Sequence, residues 1–144
     1  MNEVSLLVAI VNLIFRILAI VEKRIENAAF VVIEEYARNP EASKKCFPDV
    51  VRRRGKIFLG WRRTTWHGDG RFEIVSATYD KRPIGANVLR YEDENQKRVI
   101  EAAEKKLGKL RECLILIEKH RRDYKLIARR VKNIYDTADT NNDD

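Results

Sequence analysis

Histidine and cysteine are nearly missing from this chain, which has two of each, His67, His120, Cys46 and Cys113, among 144 residues. Two cysteines cannot build the dense disulfide framework of a small secreted domain, and nothing near the start reads as a cleavable signal. The expectation is therefore a reducing, cytoplasmic setting with free thiols, Cys113 buried on a helix and Cys46 in an irregular connection. His120 follows Cys113 by seven helical positions, about 10 Å along the axis, too far to share a metal or to form a Cys-His nucleophile pair. The six glycines are scattered and form no phosphate loop. Glu34 and Glu35 are adjacent and diverge on a helix, and the stretch 136–143 lacks the central Gly and terminal Glu of a calcium loop. These absences leave no catalytic constellation. A non-enzymatic protein without metal or cofactor, acting by binding, is expected.

Methionine is also rare, at one residue, and glutamine is confined to Gln96, whereas Lys and Arg number 29 and Asp and Glu 22. Such a lean toward charge with few labile side chains is the composition of heat-adapted proteins. A net charge of +7 and an isoelectric point near 9.5 favour anionic partners, nucleic acid or acidic membrane, without choosing between them. Hydrophobic residues make up 44% of the chain, enough for a folded core.

What is abundant is apolar periodicity at both ends. Leu7, Val11, Ile14, Leu18, Val21, Ile25, Ala28 and Val32 step by threes and fours, and so do Ile100, Ala103, Leu107, Leu110, Leu114, Ile117, Tyr124, Ala128, Val131 and Tyr135. A seam with this spacing keeps to one side of a helix that packs lengthwise on another. Helix is therefore expected over 3–38, capped by Asn2 and stopped at Asn39-Pro40, and again over 93–135, with a flexible polar tail over 136–144. Between them, 39–55 reads as connection with short helices at Pro40 and Pro48. A basic β region fills 56–91, with strands at 56–66, 71–79 and 86–91 around an Asp69-Gly70 turn. The fold class is α+β, mainly α: one domain of two long antiparallel helices, a coiled-coil-like hairpin, carrying a small antiparallel β-hairpin or three-stranded meander. Such frames occur in many small proteins, including those of viruses and mobile elements, and assign no activity by themselves.

The first helix has more apolar surface than one neighbour can cover, since Leu6, Ile10, Leu13, Ile17 and Ile20 lie beside its ladder and only Ser5, Asn12, Arg16, Lys23 and Asn27 form a polar strip. A homodimer is expected, with Leu7, Ile10, Val11, Ile14, Ile17 and Leu18 at its interface. The alternative is a structural or membrane-associated helical protein. Val4 to Val21 just reaches spanning length, but Asn12 and Arg16 interrupt it, and an arginine in lipid costs about 2.5–3.5 kcal/mol.

Arg121 breaks the second ladder. It could pair with an acid such as Glu34 or Glu35 and set the register, or the helices could diverge there and let it reach solvent, which is the simpler expectation.

The β region carries the candidate binding site. Arg52, Arg53, Arg54, Arg62, Arg63 and Arg71 crowd around Trp66 and His67, pairing cations for phosphates with flat rings that can stack on bases, so nucleic acid or another polyanion is the expected partner. Alternation places Ile57, Leu59 and Trp61 on one face, and at least one Trp is expected to cover the helices instead.

Overall fold

The computed structural model describes residues 2–66, 72–78, 89 and 92–140, and the side chains of all of these except 65, 66, 72–78, 139 and 140. Two helices, α1 (Glu3–Arg38) and α2 (Glu94–Thr140), bracket the strands β1 (Cys46–Arg53), β2 (Lys56–Trp66) and β3 (Phe72–Thr78). The architecture is mainly helical with a small antiparallel sheet. The chain packs as two compact units, a helical unit of Met1–Lys23 with Ile115–Asp144 and a sheet unit of Arg24–Leu114.

Local chemistry sets the helix ends. Asn2 caps α1 by accepting the Ser5 N–H at 2.7 Å, which satisfies an amide with no intrahelical partner. At the other end Asn39 N–H bonds the Tyr36 carbonyl, Asn39 Oδ1 accepts the Glu41 N–H, and Pro40 prevents continuation. α2 opens with a reciprocal box: Gln96 N–H donates to Asp93 Oδ1 at 2.8 Å while Asp93 N–H donates to Gln96 Oε1 at 3.0 Å. It runs on to Thr140, where a loose tail from 136 was expected. The Thr137 hydroxyl donates to the Asn133 carbonyl, keeping that last stretch in helical register.

In the sheet unit, β2 pairs antiparallel with β1 on one side and β3 on the other. The region 48–55, expected as a short helix, is instead the second half of β1 and its turn. Val50 and Val51 favour a pleated strand, and Pro48 is tolerated because β1 lies at an edge of the sheet. Arg54 and Gly55 both take positive φ, 51° and 76°, the geometry of a two-residue turn that matches strand twist. The expected third strand at 86–91 lies, Leu89 apart, outside the described residues, as does the 67–71 connection between β2 and β3.

Alternation along β2 sends Ile57, Leu59 and Trp61 inward, where they join Ile25, Ala29, Val32 and Tyr36 of α1 and Ile100, Ala103 and Leu107 of α2 in the buried core. Burying each large side chain is worth about 1.5–3 kcal/mol. The α1 ladder differs from the expected one after Leu18. Glu22 and Ala29 turn inward, while Val21 and Ala28 are exposed. A straight helix drifts by about 20° per heptad against a strict seven-residue repeat, so two successive steps of four, 14 to 18 to 22, hold the inner face.

Candidate interaction surfaces

The basic sheet is more neutralised than its sequence implies. Arg52 pairs with Glu26, whose side chain is buried, and Arg62 pairs with Asp49 of β1. A register irregularity between Trp61 and Arg62 interrupts the alternation, and Arg63 reaches Glu92 at 3.0 Å in a largely buried pair. Arg53 and Arg54 are exposed at the β1–β2 turn together with Lys56. Trp66 ends β2, and His67 and Arg71, assigned to the same site, lie outside the described residues. The predicted cluster is thus divided between a cationic turn at Arg53 to Lys56 and three strand arginines, Arg52, Arg62 and Arg63, held by acids.

Trp61 is fully buried. Its indole N–H donates to Glu104 at 2.7 Å, and its ring meets Tyr36 edge to face at a centroid separation of 5.3 Å. Arg111 closes the same network, with one nitrogen on both Glu104 oxygens at 2.6 and 2.7 Å and its Nε–H donated to the Leu59 carbonyl at 2.9 Å. Charge-assisted hydrogen bonds of this kind are shorter and stronger than neutral ones. Sequence reasoning missed Glu104 and Arg111, although Arg111 lies four residues after Leu107 on the apolar seam.

The Tyr36 hydroxyl donates to the Cys46 carbonyl at 2.6 Å. Burial pushes the Cys46 thiol up to about 12, with Arg63 opposing and Glu92 adding, and burial likewise raises the Tyr36 hydroxyl. A thiol held protonated in this way is a poor nucleophile. Cys113, expected to be buried, is exposed, and Cys46, expected in an irregular connection, is buried at the start of β1. A four-residue step from Leu110 reaches Leu114, which is buried, and leaves its neighbour Cys113 on the solvent side.

In the helical unit Arg121 bonds Glu22 of α1 at 2.7 Å and Glu118 of its own helix at 2.8 Å. The hydrogen bond to Glu22 is the main cause that raises the guanidinium pKa further. This corrects the expectation of a solvent-reaching arginine, and its acid is neither Glu34 nor Glu35. Farther along, the Tyr135 hydroxyl bonds Glu3.

The second surface is the outer side of α1. At 100° per residue Leu6, Ile10, Leu13, Ile17 and Ile20 fall within about an 80° arc, and all five are exposed. The six residues assigned to a dimer interface divide between two faces. Ile10 and Ile17 belong to this outer arc, whereas Val11 is buried and Leu7, Ile14 and Leu18 are half-buried on the inner side. α2 adds exposed Leu116, Ile127 and Ile134, which share one line along the helix about 90° from its inner residues Tyr124, Ala128 and Tyr135. α1 is long and apolar enough to cross a membrane; its most apolar 18-residue window has a mean hydropathy of 2.6 and is 6% buried.

Among the described residues no three His, Cys, Asp or Glu side chains converge as a metal set would. A groove of about 270 Å³ beside the Lys106–Glu35 ion pair is lined mainly by Val32, Tyr36, Val99 and Ala103 and lies open to solvent. Compared with family models, curated proteins and solved structures, the chain matches none of them.

Proposed function

We propose that this is a binding and assembly protein without chemistry of its own, and that α1 carries its association with a second copy. The supporting observation is the outer arc of α1, an apolar surface several turns long that the chain leaves in water. Monomers seldom leave a contiguous apolar patch beyond about 300–600 Å². Within the helical unit α1 and α2 run antiparallel in this reading, since Glu3 meets Tyr135 and Glu22 meets Arg121, so advancing along one helix means retreating along the other.

Protein fits this surface better than lipid does. Ser5, Asn12, Arg16 and Lys23 form an exposed polar strip about 100° round α1 from that arc, which a second copy can leave hydrated and a bilayer would surround with acyl chains. Light scattering on the purified protein in detergent-free buffer should give a dimer, and Leu13→Glu should give a monomer with an unchanged helical signal. A chain that stays in solution only with detergent, at a mass that Leu13→Glu does not alter, supports membrane association instead.

A polyanion is the second reading, favoured by the β1–β2 turn. There Arg53, Arg54 and Lys56 present three exposed cations within four positions of a chain with net charge +7. Retention on heparin or single-stranded DNA should fall with salt. Arg53→Ala with Arg54→Ala should flatten that dependence, by a log–log slope of about 0.7 on single strands for each phosphate that is no longer neutralised. Absence of wild-type retention at low salt removes this reading.

A further inference from the structure

The outer arc of α1 and the exposed line on α2 belong to one surface. In antiparallel helices, turning in the same rotational sense from each inner seam leads to the same side of the pair. Leu6, Ile10, Leu13, Ile17 and Ile20 lie about 110° from the α1 seam, and Leu116, Ile127 and Ile134 lie about 90° from the α2 seam in that same sense. One flank of the helical unit is therefore apolar across both helices. The opposite flank carries Lys125, Arg129 and Lys132 from α2. The apolar flank is about 30 Å long and about 20 Å wide, roughly 600 Å² per copy, which at about 1,200 Å² for two copies meets the lower bound of a standard stable interface.

Charge on that flank distinguishes the possible arrangements. Asp123 and Arg130, both exposed, sit on the outer rim of α2, on either side of Ile127. Leu13 is midway between Glu3 and Glu22, and Ile127 is within a residue of midway between Arg121 and Tyr135, so the two residues share a level along the unit. A two-fold axis parallel to the helices would bring Arg130 to the level of Ile10 of the second copy and Asp123 to that of Ile17, setting charges against apolar side chains. A two-fold axis across the helices at the level of Leu13 and Ile127 brings Leu6 to Ile20, Ile10 to Ile17 and Asp123 to Arg130.

We propose that two copies pair their apolar flanks about this crossing two-fold axis, each helix antiparallel to its own counterpart, with Leu13 against Leu13 at the centre and Asp123 facing Arg130 at the rim. This rests on the reading that α1 associates with a second copy. It specifies a closed, isologous four-helix arrangement that covers the apolar flanks of both copies.

The test is a cross-link combined with a charge-swap cycle, all in the full chain with Cys113→Ser. Leu13→Cys should oxidise to a covalent dimer, and Val8→Cys, exposed on another side of α1, should not. Asp123→Arg and Arg130→Asp should each weaken the dimer about fivefold, and the double swap should restore it. A dimer that Leu13→Glu dissociates, but in which Leu13→Cys fails to cross-link and the double swap fails to restore affinity, overturns the crossing axis while leaving self-association standing. A wild-type monomer overturns both. Circular dichroism on each variant separates loss of pairing from loss of fold, and every substituted position is exposed.

Discussion

Arg121 of α2 holds Glu22 of α1 through a 2.7 Å hydrogen bond, at the place where both apolar ladders give up a hydrophobic residue. Each substitution alone would put an unpaired charge between two helices, whereas together they form a register mark that only one alignment satisfies. Glu22→Met or Arg121→Met should each lower unfolding stability by about 2 kcal/mol. That is below the roughly 3–5 kcal/mol of fully buried pairs because Arg121 keeps 21% of its side chain in water. The double Met variant should recover most of the loss in urea denaturation. Equal and additive losses would mean that the pair contributes no coupling.

Trp61→Phe should destabilise by about 1–3 kcal/mol, since the ring volume largely remains but Glu104 loses a donor in a buried setting. Adding Glu104→Gln should change that penalty, because Arg111 would then face a neutral amide in place of a carboxylate. Chemical denaturation of the two single variants and the double variant measures the coupling.

The thiols should separate by reactivity. Cys113 should label within minutes at pH 8 under native conditions, and Cys46 only when the sheet unit opens. Mass mapping of the labelled peptide decides this, and early modification of Cys46 would contradict its burial.

Alkali should unfold the protein earlier than lysine or arginine titration requires. The Cys46 thiol ionises near 9.0 when unfolded and near 12 when folded, so its contribution is complete below pH 9. Between those values the unfolded state has released a proton that the folded state retains, and stability falls by up to about 1.4 kcal/mol per pH unit. Cys46→Ala should flatten the descent between pH 9 and 12 in a thermal melt series.

Gly108 lies within α2 beside open space, with no neighbouring heavy atom inside 4 Å of the position a Cβ would take. Gly108→Ala should therefore raise stability by about 1 kcal/mol through helix propensity alone. No change in melting temperature would show that the helix there is not limiting.

Both ends of α1 and the start of α2 were readable because they depend on neighbours in sequence, whereas the end of α2 was placed five residues short. Asn2, Pro40 and the Asp93–Gln96 box each act within four residues of where they stand. β1 was not readable, since Pro48-Asp49 resembles a helix start and only pairing with β2 selects the extended form. The α1 faces were not separable either. Leu7 and Ile10 are equally apolar, and which one turns inward is decided by α2, whose closest partners lie about a hundred positions away. The arginine clusters were visible as charge but not as chemistry. Arg52, Arg62 and Arg63 each found an acid on another element, and distance along the chain gives no sign of which one.

The Glu3–Tyr135 contact joins residues 132 positions apart. During synthesis α1 is complete long before α2 emerges, so both its inner ladder and its outer arc wait, unshielded, through the manufacture of the whole sheet unit. Inner and outer stripes of one helix compete for the same late arrivals, α2 of the same chain or α1 of a neighbouring one. Glu22 biases that competition, because only the native partner brings Arg121 to it. The charge in the seam thus works in time as well as in space, discouraging α1 helices on adjacent nascent chains from closing on one another through the wrong face.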